Sequence, residues 1–186
     1  MKQLFDKIHP VPDDILEEYL SYWKPVEYAR KQLISREGEI EKYLYYVVNG
    51  VQKSYFFKDN KEFIIAFTQT GSFSGDPKSL FEQSPSTVTI ECITPSKLQR
   101  IRYSKHLEML EKYRELDTLF RKATELLLAG VLDRYNELMA FTIEERFKSF
   151  AKRSPQLLNV IPHKDLAAYL RIDATNFSKL LNSVKV

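Results

Sequence analysis

The spacing of hydrophobic and polar residues is typical of β-strands in much of the first half of the chain and of α-helices in the second half. Between about residues 26 and 102, short runs of β-branched and aromatic residues are separated by turn residues, a pattern typical of β-strands. The clearest runs are YLYYVVNG (43–50), VQKSYFF (51–57), EFIIAFT (62–68), STVTIECI (86–93) and KLQRIRY (97–103). This half therefore predicts a barrel or roll of about eight short strands.

Apolar residues at spacings of three and four predict helices outside this region. One long helix is expected over residues 106–139, and shorter ones over 13–22 and 142–153, the last with a capping box from Thr142 and Glu145. The long helix carries an apolar stripe made of Leu116, Leu119, Phe120, Ala123, Leu126, Leu127, Gly130 and Val131. Two roles are open for this stripe: it packs against the β unit, or it forms a dimer seam with a second chain. Both roles are compatible if they use different faces of the helix. As a seam it would join two chains through Leu119, Phe120, Ala123, Leu127 and Gly130.

The C-terminal stretch IPHKDLAAYLRIDATNFSKLL (161–181) predicts two short helices separated by RID. Ala167 is small enough for the helices to cross closely, Asp173 suits the N-cap of the second helix, and Phe177 is expected to point inward. The polar residues left on the outside suit base edges and phosphates. These candidate DNA contacts are His163, Lys164, Thr175, Asn176, Ser178 and Lys179. The alternative is an ordinary polar surface on a terminal helical hairpin.

Charge favours the DNA interpretation. Residues 142–186 carry eight Lys/Arg against four Asp/Glu, whereas the rest of the chain carries 20 against 21. A basic terminal module on a nearly neutral body indicates a polyanionic partner.

Composition narrows the class of protein further. The 186 residues suit one large and one small domain, and no apolar run is long enough for a membrane span or a signal peptide. A single cysteine, Cys92, indicates a reducing setting, so we expect a cytoplasmic protein without disulfides. The three histidines have no metal-ligand spacing, and the sequence contains no nucleotide loop or nucleophile motif. Neither a metal site nor an enzyme is expected.

The order of these elements resembles the Crp/Fnr transcription regulators. The stretch from Ile161 to Leu181 resembles their helix-turn-helix, and Gly38, Glu39 and Gly50 resemble positions of their cyclic-nucleotide-binding-type roll. GSFSGDPKSLF (71–81) resembles the entry of their phosphate-binding segment. The resemblance implies an α+β fold with three parts: a double-stranded β-roll sensor (1–112), a long dimerisation helix (113–139) and a helix-turn-helix domain (140–186).

The same resemblance implies partners: double-stranded DNA, a second copy of the chain, a small-molecule effector and RNA polymerase, with no membrane. It places the effector at Gly75, Asp76, Ser86 and Thr87.

The chain also departs from the family pattern. Ser86-Thr87 stands where relatives that bind cyclic AMP have an arginine followed by Ser or Thr, so the charge-assisted phosphate contact is missing and no cyclic AMP receptor is expected. Arg171 replaces a turn glycine, Ala174 and Thr175 replace base-reading residues, and no terminal β-hairpin wing is expected before Val186. The alternative is therefore a small-molecule-binding or protein-interaction module of this fold with a vestigial DNA-binding hairpin.

Overall fold

A computed structural model describes residues 1–183 of the chain. The last three residues of the domain expected over 140–186 lie outside the described part. The strands are β1 Lys24–Tyr28, β2 Leu33–Ser35, β3 Tyr43–Asn49, β4 Val51–Lys58, β5 Lys61–Gln69, β6 Phe73–Ser74, β7 Thr89–Cys92 and β8 Ser96–Arg102. The helices are α1 Lys2–Ile8, α2 Asp13–Ser21, α3 Pro77–Glu82, α4 Tyr103–Lys112, α5 Arg114–Ala140, α6 Ile143–Arg153, α7 His163–Leu170 and α8 Ala174–Ser183. A short 3₁₀ turn, Pro155–Leu157, joins α6 to the last helix pair.

The strands form two antiparallel four-stranded sheets. The first sheet has the order β1-β8-β3-β6 and the second has the order β2-β7-β4-β5. Non-consecutive strands lie side by side in both, as in a roll rather than a simple meander. The predicted α+β fold, with a β-roll followed by a long helix, is confirmed.

Local turn chemistry explains how the roll reverses direction. Asp59 and Asn60 both adopt a left-handed backbone conformation, with φ of 52° and 58°, and connect β4 to β5. Gly50 has φ of 113° and packs so closely on Ser96 that any Cβ would collide with it. Only glycine fits at that reversal.

The helical stretch expected over 106–139 is in fact two helices, α4 and α5, and α5 agrees with the long helix expected over 113–139. The chain leaves the helical conformation at Tyr113, where φ is −129° and ψ is 111°. Tyr113 Oη donates to Glu18 Oε2 at 2.6 Å, and Lys112 Nζ pairs with Glu18 Oε1 at 2.7 Å. These contacts with α2 hold the break, which lets α4 and the start of α5 both pack against the N-terminal helices.

A hydrophobic cluster covers the outer face of the first sheet. This N-terminal cluster consists of Phe5, Val11, Leu16, Tyr19, Trp23, Ile101, Met109, Leu116 and Leu119. Leu119 is fully buried in it and Phe120 packs against it. Leu119 thus has no exposed surface left for a dimer seam, whereas Phe120 is only partly buried and its place in such a seam stays a prediction.

The C-terminal helices form a second cluster that rests on the second sheet. Phe147, Phe150, Leu166, Leu170 and Phe177 are its largest buried members, and Val51 and Ile93 of the roll join it. The capping box at the start of α6 is present as predicted: Glu145 N donates to Thr142 Oγ1 and Thr142 N donates to Glu145 Oε2. Across residues 1–183, no helix has the length and apolar character required to cross a membrane.

Candidate nucleic-acid interface and effector site

Helices α7 and α8 form the hairpin that the sequence predicted. Arg171 ends α7 in a left-handed conformation, with φ of 58° and ψ of 45°, where the resemblance had indicated a glycine-like turn. Asp173 then caps α8, because its Oδ1 accepts a hydrogen bond from Asn176 N at 2.9 Å. The turn is thus made without glycine, at the cost of placing an arginine in an unfavourable backbone region.

The two faces of this hairpin differ in polarity and burial. Leu166, Ala167, Leu170 and Phe177 are buried on the inner face. On the outer side, the candidate contacts His163, Lys164, Thr175, Ser178 and Lys179 are exposed and Asn176 is half-buried. The structure therefore leaves five of these six side chains exposed to solvent and one half-buried. Their role in binding DNA stays a prediction.

The side chain of Asn176 has a contact that the sequence did not reveal. Its amide nitrogen Nδ2 donates to Asp173 Oδ2 at 2.5 Å, while its backbone N–H also binds the same carboxylate. The backbone N–H of Asn176, with its side-chain amide, holds the pKa of Asp173 below its usual value. To pair bidentately with adenine, Asn176 must first release this cap.

Inside the roll, the candidate effector residues separate into two groups. Gly75, with φ of 136°, leads the chain from β6 into α3. Asp76 caps α3 by accepting from Lys78 N at 3.1 Å, and its other oxygen accepts from Ser86 Oγ at 2.8 Å. Asp76 and Ser86 are both buried, whereas Thr87 is exposed. The structure thus joins Asp76 to Ser86 and leaves Thr87 on the surface.

A further buried acid, Glu41, lies beside this pair and was missed in the sequence. Its Oε1 accepts from Lys42 N at 3.1 Å and Tyr43 N at 3.3 Å, while Oε2 is buried with no hydrogen-bond partner among residues 1–183. Burial raises the pKa of Glu41, backbone N–H groups oppose the rise, and the nearby charge of Asp76 adds to it. Glu41 follows other charged residues in the chain, so it looked like part of a solvated turn.

The electrostatics of this region therefore do not favour a phosphate. Two buried carboxyl groups, Glu41 and Asp76, share it, and the α3 cation Lys78 is exposed. The guanidinium of Arg100 instead stacks on the ring of Tyr43, 4.4 Å from its centroid. A cyclic phosphate placed beside two carboxylates would need a fixed cation to offset its desolvation.

Comparison with known proteins finds one family model that matches the roll. Residues 25–113 match the model of the cyclic nucleotide-binding domain. This segment is similar to that family. It makes up just under half of the chain and leaves the C-terminal helices outside the match. No curated protein matches the chain significantly.

Solved structures extend the similarity of fold beyond the cyclic nucleotide-binding domain. FixK2 from Bradyrhizobium japonicum is 21% identical with a TM-score of 0.75, covering 86% of this chain and 83% of its own. The catabolite activator protein of Thermus thermophilus is 21% identical with a TM-score of 0.60, covering 97% and 85%. The c-di-GMP-responsive regulator CLP of Xanthomonas campestris is 18% identical with a TM-score of 0.66, covering 92% and 90%. At these identities the likeness shows a common fold.

Proposed function

We propose that the protein is a dimeric, DNA-binding transcription regulator of the Crp/Fnr type. The observation that carries the proposal is the α7–α8 hairpin, whose inner face is apolar and whose outer residues Thr175, Ser178 and Lys179 are exposed. The proposal divides the chain into a sensor (1–112), a dimerisation helix (113–139) and a DNA-binding domain (140–186). Contact with RNA polymerase follows from this role, and catalysis is not part of it. The fold shared with FixK2 and the catabolite activator protein supports the proposal.

The proposal predicts binding to a pseudo-palindromic duplex. The start of α8 would enter the major groove, and two copies would place their helices one helical turn apart, about 34 Å. Selection from random duplexes should therefore enrich a two-fold symmetric motif. Failure to enrich any motif would favour the interaction-module alternative, for which the engagement of Asn176 by Asp173 is the supporting observation.

The phosphate role of Lys179 can be separated from general charge loss. Lys179→Ala should weaken binding to all duplexes and reduce the slope of log K against log salt by about one. Lys24→Ala is the matched control, because Lys24 is an exposed lysine on the first sheet. An equal change of slope in both variants would show that Lys179 has no special place at the interface.

The proposed dimer uses the second half of α5. Its large apolar side chains are about half exposed or more: Leu126, Leu127, Leu128, Val131, Leu132, Tyr135 and Met139. A Cβ built on Gly130 meets nothing within 4 Å, which leaves space for a second helix there. Ala123, half-buried, marks the transition from the buried first half to this exposed surface.

Leu127→Glu should therefore give monomers in sedimentation, because it places an unpaired charge in the seam. Phe57→Glu is the control, since Phe57 is similarly exposed on the β4–β5 hairpin away from the helix. A wild-type protein that sediments as a monomer at micromolar concentration would contradict the dimer.

For the effector, the proposal is that the roll does not bind cyclic AMP tightly. Ser86 donates its hydroxyl to Asp76 and no arginine occupies its place. Two charge-assisted hydrogen bonds, at about 1.5–3 kcal/mol each, would be missing, which weakens binding by roughly a hundredfold or more. Calorimetry with cyclic AMP and cyclic GMP tests this, and a sub-micromolar dissociation constant for either would contradict it.

A further inference from the structure

A buried ion cluster connects the roll to the first helix of the C-terminal hairpin. Lys53, on β4, places its Nζ 3.5 Å from Asp165 Oδ2 on α7 and also pairs with Glu62 on β5. The side chains of Lys53 and Asp165 are each only 7% exposed. These two residues are far apart in sequence, so their pairing is a property of how the C-terminal module is placed on the roll.

Three further contacts along β5 hold α7 in one orientation. The guanidinium of Arg171 lies 4.8 Å from the ring centroid of Phe63. The rings of Phe67 and Tyr169 lie 4.9 Å apart. Gln156 Nε2 donates to Gln69 Oε1 at 2.8 Å just before the hairpin. Contacts at several points along one strand restrain both the position and the direction of a helix.

The buried lysine makes this docking specific. An apolar interface alone tolerates sliding, whereas a charge removed from water must keep its partner. If Lys53 loses its charge, Asp165 stays at a buried site with no cation beside it, and the interface must loosen to let water reach the carboxylate. Lys53 is thus a buried cation of the roll that pairs directly with α7.

The same strand lies next to the candidate effector region. β4 pairs with β7, with Lys53 opposite Glu91 and Ser54 opposite Ile90. β7 begins at Thr89, shortly after the Ser86 that binds Asp76. Strand β4, which contacts α7 through Lys53, is therefore the direct neighbour of β7, the strand that follows the candidate effector region.

We propose that Lys53 is a positioning residue for DNA binding: through Asp165 it holds the α7–α8 hairpin on the second sheet in the orientation that reads DNA. The docked orientation leaves His163, Lys164, Thr175 and Lys179 exposed, so docking does not cover the DNA-reading side. This proposal rests on the proposed function as a DNA-binding protein.

The test compares Lys53→Met with Lys97→Met in the full-length protein, using the selected duplex. Lys97 pairs with Glu27 at 3.3 Å and both side chains are well exposed, so this variant controls for the loss of one lysine charge on the roll without the loss of a buried contact. We expect Lys53→Met to raise the dissociation constant at least tenfold and Lys97→Met to change it less than twofold. The salt slope of Lys53→Met should equal that of the wild type, because the bound form keeps all its phosphate contacts.

A second variant keeps the test valid if Lys53→Met folds poorly. Lys53→Met combined with Asp165→Leu replaces the two most buried charges of the cluster by apolar groups, which buried ion pairs often tolerate. The third member, Glu62, is 28% exposed, so its carboxylate can stay hydrated in this variant. Restored docking should bring the dissociation constant back to within about threefold of wild type, since the two apolar side chains can pack where the charges were. Hydrogen exchange of α7 without DNA reports the docking directly and should be faster in Lys53→Met than in the double variant.

Several results would overturn the proposal. Unchanged or tighter DNA binding by Lys53→Met, together with faster exchange of α7, would show that docking does not position the reading helix. A salt slope reduced by about one would show that Lys53 binds phosphate itself. A wild type that binds no duplex would overturn the proposed function and this inference together, whereas the first two results leave the proposed function standing.

Discussion

The outer faces of the two sheets are covered in different ways. The first sheet is covered by the N-terminal cluster, in which Phe5, Tyr19 and Trp23 pack among aromatic rings such as Phe73 and Phe120. The second sheet is covered by the C-terminal module, where the apolar contacts are joined by the Lys53–Asp165 pair and a Gln69–Gln156 hydrogen bond. One face is a mostly apolar core, and the other is a mixed interface.

The first sheet is thus covered mainly through apolar packing, whereas the second sheet contacts the C-terminal module through both apolar and polar groups. Apolar burial is non-directional, so it stabilises the cover of the first sheet without fixing a single orientation. Polar contacts are directional, and interfaces between domains are more polar than obligate interfaces. The cover of the second sheet is therefore also fixed in direction, by the Lys53–Asp165 pair and the Gln69–Gln156 hydrogen bond.

The largest expected effect comes from breaking the apolar side. Phe5 is fully buried and contacts Tyr19, Phe73 and Phe120. Phe5→Ala should lower the free energy of unfolding by about 3–5 kcal/mol, measured by urea denaturation. Phe81→Ala, at a side chain 59% exposed, should cost far less. A loss below about 1 kcal/mol for Phe5→Ala would show that α1 is not part of the core.

The free energy of unfolding should depend on pH through His106, which is buried under the cover of the first sheet. Burial lowers the pKa of His106 from 6.5 to about 4, and its Nδ1 lies 2.9 Å from Tyr19 Oη. Between those two values the His106 imidazole is more protonated in the unfolded chain than in the folded one. The part of the stability that depends on His106 therefore falls as the pH decreases from 6.5 to about 4 and is constant above that window. The full contribution is about 3 kcal/mol.

Urea denaturation at several pH values checks this expectation. His106→Leu should remove this part of the pH dependence, and His163→Gln should leave it intact, because His163 is exposed. Identical pH profiles for the wild type and His106→Leu would rule out a buried neutral imidazole.

The smallest expected effect concerns the start of α6, the first helix of the C-terminal module. Thr142 caps α6 and Glu145 completes the box. Thr142→Ala should cost about 1 kcal/mol of unfolding free energy. Thr124→Ala is the matched control: Thr124 lies inside α5, and alanine there is neutral or slightly stabilising. If the two variants lose equal stability in thermal denaturation, the cap contributes nothing.

Several elements followed from local sequence because the interactions that form them are local. The strands around residues 43–69 are specified by β-branched and aromatic residues together with the Asp59-Asn60 turn. The α6 start depends on Thr142 and Glu145, three positions apart. The α7–α8 hairpin depends on Arg171 and Asp173 within one turn. In each case the interacting residues are close together in the chain, so their spacing in the sequence is enough to predict the interaction.

Other features were decided only when distant segments met. The break at Tyr113 needs Glu18 of α2, and the burial of Leu119 needs the helices before the roll. Glu41 became a buried acid because α3 and β3 close over it, and Lys53 met Asp165 because the C-terminal module rests on the second sheet. Periodicity marks a residue as apolar or polar but does not say which distant surface it will contact. By itself the sequence determined the helices and strands and the residue types at their surfaces. The tertiary structure decided which apolar stripe became core, which acid was buried and which lysine joined the roll to the C-terminal module. Those outcomes depend on contacts between residues far apart in the chain.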